Sequence, residues 1–541
     1  MKTNVLYYGD NLEILKNREY FPDACIDLIY LDPPFNSKKD YNILFKENGG
    51  LESEAQIKAF TDSWHWTPKA RDAYHDLIIN SPTNVGKLIN ALHDTLGGND
   101  VMAYLVMMTA RLLELHRVLK STGSLYLHCD PTASHYLKLV LDQIFGPANF
   151  VNEIAWKRTT AHGDIKQGAR HFGRIHDIIF RYSKGKDFKF NPQYSDYSDE
   201  YVDTFYRHIE PGTGRRFQAV DLTARKPGGD TLYEWKGKFP YHGRYWAYSK
   251  QNMEEFERKG RLFYTSSGMP RLKYYLDEMQ GVPLQDIWDD IYHTQGSERL
   301  GYETQKPLAL LERIINASSN EGDIVLDPFC GCGTAVVAAQ KLKRKWIGID
   351  ITPLAINLMR VRLRDSFNLD PEVVGEPADL AGAKALAHQQ DRYPFQYWAM
   401  GKIGARPVGE KKKGADKGID GIIPFIDNSG DKRKNVIVQV KSGHVGVDVI
   451  KVLKTTAANE AMGVLISLEP PTKPMQAEAM EAGYYHSDIW NKDYPKIQIL
   501  TIEEILQGKQ VDMPPQKQTS VAFAKAPKVK MKQGKQLTLE E

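Results

Sequence analysis

Leu28-Ile29-Tyr30-Leu31-Asp32-Pro33-Pro34-Phe35 is the stretch whose reading decides the fold. An apolar run of this length, closed by an acid and two prolines, reads as a buried parallel strand that ends in a rigid turn. Proline donates no hydrogen bond to a sheet ladder, so Pro33 and Pro34 must lie just past the strand's carboxyl end. In open α/β sheets that edge is where ligands bind. The turn offers a carboxylate (Asp32), carbonyls from an unusually N–H-poor segment, and an aromatic ring (Phe35).

Far downstream lies the second informative stretch, Asp323-Ile324-Val325-Leu326-Asp327-Pro328-Phe329-Cys330-Gly331-Cys332-Gly333-Thr334. It reads as strand, glycine turn and helix 335–341, followed by strand 345–349 ending at Asp350. Glycines let a backbone approach a ligand closely, and an acid at the tip of the next strand can bind ribose hydroxyls. That pattern suits an adenosine cofactor. The third glycine of the dinucleotide fingerprint and a Gly-Lys-Ser/Thr phosphate loop are both missing, which argues against NAD and ATP.

The chemistry of the first turn narrows the substrate. An exocyclic nucleobase amine is a poor nucleophile because its lone pair is delocalised into the ring. Asp32 and the Pro33 carbonyl can accept its two N–H hydrogens, and Phe35 can stack on a base flipped from the duplex. Asp-Pro-Pro-Phe resembles the motif of the DNA amino-methyltransferases, and the glycine loop resembles their S-adenosylmethionine loop. Thr304-Gln305-Lys306-Pro307-Leu308, ahead of a helix over 308–318, resembles the Lys-Pro motif that opens a helix against the cofactor pocket in that family. The order of the motifs, with an insertion between the first and the last two, resembles the permuted β-class enzymes over residues 1 to 365. The resemblance implies a Rossmann-like methyltransferase sheet with catalytic Asp32, Pro33, Pro34 and Phe35. It also implies a cofactor set of Asp10, Lys306, Pro307, Asp327, Phe329, Gly331, Gly333, Thr334 and Asp350. Asp rather than Ser before Pro-Pro favours adenine N6 over cytosine N4. A methyltransferase of RNA or protein is the alternative of another class.

At 541 residues the chain holds two to four domains. Its net charge of +3 requires any nucleic-acid contact to come from local patches. Four cysteines make no disulfide framework. No signal peptide and no apolar run near the roughly 18 residues of a membrane span are present, so a cytoplasmic protein is expected. Asp10 or Asn11 can cap a short helix after the strand at Val5-Leu6-Tyr7-Tyr8; a cap alone, or a place near the cofactor's adenine as the resemblance implies, both fit Asp10. A loop with Asn36, Ser37 and Tyr41 follows Phe35. A helix over 102–119 is expected to end at Lys120-Ser121-Thr122-Gly123. His128 and Asp130, at the end of the next strand, either line the pocket or serve structure.

Residues 185–290 break the alternation of strands and helices that argues for a doubly wound sheet. From Lys157 to Lys273 there are 23 Lys/Arg against 14 Asp/Glu, interleaved with aromatics. That composition fits phosphate and base contact, and the resemblance puts the target-recognition region here; an ordinary solvated insertion is the alternative. The methyltransferase domain is expected over 1–184 and 291–365.

Residues 366–389 read as a linker. Beyond it, an acid at Asp420 faces Gln439-Val440-Lys441 on a second strand, with Gln439 and Lys441 sharing one face. Asp420 and Gln439 can hold Mg²⁺ with Lys441 assisting an attacking water. Residues 390–506 resemble the Mrr-like PD-(D/E)xK restriction endonucleases, except that Gln439 stands where most of them carry Glu. A nuclease, or a domain that only binds DNA, both follow from that departure. The lysine-rich tail from Gln507 reads as disordered. The partners expected are double-stranded DNA and a restriction or helicase subunit.

Overall fold

The computed structural model describes residues 1–34, 65–160, 170–226, 228–293, 305–388, 393–407, 419–427 and 433–515. The strand read from Leu28-Ile29-Tyr30-Leu31 forms as β2 (Ile26–Leu31), with all six residues buried. Its neighbours are β1 (Val5–Tyr8), β3 (Leu119–Cys129), β4 (Phe150–Lys157), β5 (His176–Ser183), β6 (Ile287–Trp288), β7 (Ile324–Asp327), β8 (Lys345–Asp350) and β9 (Glu372–Val374). Among the described residues these build one sheet in the order β6-β4-β5-β3-β2-β7-β8-β1-β9. Pairing is parallel except at β5, which runs against β3 and β4. The result is an α/β fold on a large mixed sheet.

Alternation along β2 explains why both faces are covered. Ile29 and Leu31 join the apolar cluster beneath helices Asp100–Val118 and Pro131–Phe145. Leu28 and Tyr30 join the opposite cluster, beneath helices Leu308–Ser318, Thr334–Lys341 and Pro353–Phe367. Each fully buried Leu or Ile contributes about 1.5–3 kcal/mol.

The expected cap at Lys120-Ser121-Thr122-Gly123 is not one: the helix stops at Val118 and these residues lie inside β3. Two contacts pull them into the sheet. Lys120 Nζ donates to the buried Asp27 carboxylate at 2.7 Å, and Gly123 sits where a Cβ would come within 2.8 Å of the Asp27 carbonyl. Lys189 Nζ and the Ile324 N–H also reach Asp27, at 2.9 and 3.0 Å. Burial alone would raise the Asp27 pKa, but these partners outweigh it and hold the carboxyl below its ordinary range.

Residues Pro192–Gln285 form a separate compact unit. A four-stranded antiparallel sheet, with strands Leu262–Tyr264, Pro270–Tyr275, Arg216–Asp221 and His208–Ile209 in that order, packs with Trp235, Trp246 and Met253 into its own core. Several of its basic residues are engaged internally, among them Arg215 with Asp277 and Glu278, Lys273 with Glu210, and Arg216 with Asp203.

The stretch 366–389, expected as a linker, belongs to the two folded parts it joins. Strand β9 extends the large sheet beside β1. Helix Leu380–Ala387 buries Ala383, Leu386 and Ala387 in the carboxyl-terminal core with Phe395, Trp398, Val436 and Val464. There a five-stranded sheet runs Arg406–Pro407, Gly421–Ile426, Arg433–Lys441, Met462–Ser467, Ile497–Thr501, the last three parallel. No helix among the described residues is long and apolar enough to cross a membrane. Residues 516–541 of the tail lie outside the described residues.

Candidate active site

Four parallel neighbours, β2, β7, β8 and β1, end at the same edge of the large sheet. Asp32 follows the last residue of β2, Asp327 ends β7 and Asp350 ends β8, level with Tyr8 of β1. Because β7 lies between β2 and β8, the glycine loop leaves the sheet between Asp32 and Asp350. Pro33 is buried and Pro34 half-buried. Phe35, Asn36, Ser37 and Tyr41 lie outside the described residues.

The Asp32 carboxylate accepts a hydrogen bond from Lys306 Nζ at 2.5 Å. Lys306 is 8% exposed and immediately precedes Pro307, which stands at the N-cap position of helix Leu308–Ser318. The resemblance implied a cofactor role for Lys306; its ammonium is in fact bonded to the candidate catalytic carboxylate.

The glycine loop is tied to the sheet by backbone bonds. Cys330 N–H donates to the Ile349 carbonyl at 3.1 Å, and Gly331 N–H donates to Asp350 Oδ2 at 2.9 Å. Gly333, at φ +74°, opens helix Thr334–Lys341 in the left-handed region, and a Cβ there would come within 2.4 Å of Met359 Cγ. Only glycine satisfies both demands. Asp350 Oδ1 accepts from Thr352 N and Oγ1, each at 2.8 Å. Burial still pushes the Asp350 pKa up. Asp327 is buried too, and its pKa stands well above the carboxylate range because of burial and the nearby charges of Asp32 and Asp350. Its Oδ1 accepts from Phe329 N–H at 3.1 Å. Thr334 is buried, with Oγ1 at 3.5 Å from Cys332 Sγ.

Asp10 caps its helix by accepting from Leu12 N–H at 2.8 Å, as its position suggested. Arg111, which sequence reading passed over, donates to Asp10 at 2.8 Å and to Asn11 Oδ1 at 2.5 Å. Asn11 Nδ2 in turn donates to the Pro328 carbonyl at 2.7 Å. Asn11 thus ties the first turn of the chain to the glycine loop, and its amide is itself held by one arginine. The place of Arg111 mid-helix, a hundred residues from either partner, left no local signal.

Behind Asp32 runs a buried polar chain. Tyr30 Oη lies 3.1 Å from His128 Nδ1, and His128 Nε2 lies 3.1 Å from Asp177 Oδ2. Arg158 approaches the other Asp177 oxygen at 3.4 Å. Burial disfavours the Asp177 carboxylate, but the His128 bond and the charges of Lys306 and Arg158 outweigh it and bring its pKa down to about 2. Of the two strand-end candidates, His128 is fully buried in this chain, whereas Asp130 caps helix Pro131–Phe145 through Thr132 and Ala133 N–H.

In the carboxyl-terminal sheet the pairing of Gly421 with Val438 sets Asp420 opposite Gln439. Asp420 Oδ2 accepts from Val440 N–H at 2.7 Å. Gln439 is 2% exposed and its Oε1 has no hydrogen-bond partner among the described residues. Lys441, two residues on, is half-buried. Among the described residues no group of three or more His, Cys, Asp or Glu is placed to hold a metal ion.

A family model for DNA methylases matches residues 26–360. The type II methyltransferase M.BamHI of Bacillus amyloliquefaciens is 40% identical over 374 residues, 69% of this chain and 59% of that protein. The type II methyltransferase M.EcaI of Enterobacter cloacae is 34% identical over 253 residues, 46% of this chain and 54% of that protein. The DNA adenine methyltransferase YhdJ of Escherichia coli is 27% identical over 363 residues, 67% of this chain and 83% of that protein. The chain thus spans little more than half the length of M.EcaI and M.BamHI. With the family match extending over more than half of its length, the chain belongs to the N6/N4 DNA methylase family.

Proposed function

We propose that this protein transfers a methyl group from S-adenosylmethionine to the N6 amine of an adenine flipped from double-stranded DNA, as the modification half of a restriction-modification system. The observation that carries the reading is the convergence of Asp32, the glycine loop and Asp350 at one edge of one sheet. The left-handed Gly331 and Gly333 turn the loop tightly, which suits close backbone approach to an adenosine cofactor. Asp10, Phe329, Gly331, Gly333, Thr334 and Asp350 would hold it. When bound, that cofactor supplies an electrophilic methyl group on a sulfonium.

The chain's own residues do the rest. Asp32 and the Pro33 carbonyl accept the two amine hydrogens, draw the nitrogen towards tetrahedral geometry and stabilise the positive charge that develops on it. The rigid Pro33-Pro34 turn fixes both acceptors before the base arrives. Phe35 supplies a stacking surface for the flipped base. The methylated nitrogen is acidic enough to lose its proton without a strong base. The Asp-Pro-Pro form and the adenine specificity named for YhdJ favour adenine over cytosine. Incubating the full chain with labelled S-adenosylmethionine and duplex DNA, RNA or protein tests the reading. Label in DNA that disappears in Asp32→Ala supports it, and label confined to RNA or protein rejects it.

A second reading concerns the carboxyl-terminal domain, proposed as a Mg²⁺-dependent nuclease. It is favoured by the unpartnered Gln439 Oε1 beside Asp420. One carboxylate and one amide oxygen fit a Mg²⁺ that keeps most of its water. Asp420 and Gln439 would hold the ion, which supplies polarisation of a scissile phosphate, and Lys441 is placed to hold a proton or anion beside them. Mg²⁺-dependent nicking of plasmid by the full chain, lost in Asp420→Ala, tests it; no nicking leaves a DNA-binding domain.

A further inference from the structure

We propose that Lys306 is a specificity-determining residue that reads the target base, donating a hydrogen bond to the ring nitrogen beside the reacting amine. The inference rests on the DNA adenine reading above and adds a recognition contact to it. Lys306 Nζ lies 2.5 Å from Asp32 Oδ2 at the sheet edge, and both side chains are largely buried. An ammonium carries three N–H donors in a compact head, so one lysine can bond a carboxylate and a neighbouring acceptor together.

Enzymes that act on a flipped base bind its Watson–Crick edge. On adenine that edge presents the N6 amine, two donors, next to N1, an acceptor. The pair Asp32–Lys306 presents the complement, an acceptor next to a donor. A base that turns its Watson–Crick edge to this pair, with its amine on Asp32, would set N1 rather than N7 beside the Lys306 ammonium. Guanine and thymine present a donor at the corresponding ring position, opposite the ammonium, and are rejected. The contact costs some reactivity, because a donor on N1 withdraws density from the amine. What it gives is register and discrimination. A site built to hydrogen-bond a substrate group discriminates strongly against an analogue lacking it.

That trade makes the test sharp. In 1-deazaadenine a carbon replaces N1, so the amine is more electron-rich and intrinsically more nucleophilic, while the acceptor is gone. The full-length protein is assayed for kcat/KM on duplexes carrying adenine, 1-deazaadenine or 7-deazaadenine at the target, beside Lys306→Met and Lys306→Arg. Wild type is expected to prefer adenine over 1-deazaadenine by roughly tenfold to a hundredfold, the range of a hydrogen bond from a charged donor. Lys306→Met is expected to bring that ratio to within about threefold of unity, with the adenine to 7-deazaadenine ratio unchanged. Lys306→Arg, with a longer planar head, recovers part of the preference. Equal rates on adenine and 1-deazaadenine in wild type overturn the inference even if Lys306→Met fails to fold. A preference that persists undiminished in a folded Lys306→Met overturns it too. Absence of transfer to adenine in every duplex removes the methylation reading itself, and this inference with it.

Discussion

Replacing Asp32 separates the structural and chemical sides of the sheet-edge site. In Asp32→Ala the Lys306 ammonium, 8% exposed, loses its 2.5 Å bond to the Asp32 carboxylate while staying buried. Breaking a buried ion pair from one side costs about 3–5 kcal/mol. Spread over a domain larger than 150 residues, this corresponds to a fall in melting temperature of about 5 °C or more. Removing both charges in Asp32→Ala/Lys306→Met should recover most of that loss, because the buried ammonium goes with the carboxylate. Both variants keep the Pro33 carbonyl but lack the Asp32 acceptor, so transfer should fall by at least roughly 10²–10³-fold, the effect of deleting one preorganised electrostatic partner. Cofactor affinity should stay within a few fold, since Asp350 and the glycine loop are untouched. Thermal melts, a cofactor-binding titration and labelled methyl transfer on the same preparations measure all three. Equal stability for wild type, single and double variants would refute the ion pair. Wild-type transfer by Asp32→Ala would refute the assignment of the acceptor.

Other consequences follow from individual contacts. Gly333→Ala forces a Cβ to within 2.4 Å of Met359 Cγ at a left-handed φ, so it should destabilise the fold by about 1–3 kcal/mol and weaken cofactor binding at least tenfold, read by melting and titration. Adding Met359→Ala should recover stability only in part, because the backbone strain remains. Asp177, with a folded pKa near 2 against an unfolded value near 3.9, contributes stability above about pH 4 that is lost as pH falls towards 2. The contribution is about 2 kcal/mol, and Asp177→Asn should flatten the difference between melts at pH 3 and pH 7. Arg111→Leu removes the donor that holds both Asp10 and the Asn11 amide bonded to the Pro328 carbonyl, so cofactor affinity should fall roughly tenfold with little change in the KM for DNA.

The parts of the fold legible in the sequence were those with a local signature. The β2 strand announces itself by an unbroken apolar run stopped by two prolines, and β7 and β8 by apolar runs that end in an acid around a glycine turn. The carboxyl-terminal pairing of Asp420 with Gln439 followed from two strands about a turn. Long-range partners had no such signature. Lys120 looked like the end of a helix because basic residues favour that position, yet its ammonium was claimed by Asp27, 93 residues earlier. Residues 372–374 looked like linker because a three-residue edge strand is too short to show a period, and only the exposed side of β1 makes it a strand. Lys306 was recognised as part of a motif, but its bond to Asp32 spans 274 residues and appears only once both strand ends share an edge. His128 stood out at its strand end, but its partners Tyr30 and Asp177 did not, each being an ordinary strand residue until β5 packs antiparallel against β3.

The central claim, that the sheet edge methylates an adenine amine, is met most directly by nucleoside mass spectrometry. Duplex DNA would be incubated with S-adenosylmethionine and the full-length protein, then digested to nucleosides. The account predicts N6-methyladenine in a one-to-one ratio with S-adenosylhomocysteine, and neither product from Asp32→Ala. N4-methylcytosine in its place, or demethylated cofactor with no methylated nucleoside, would contradict it.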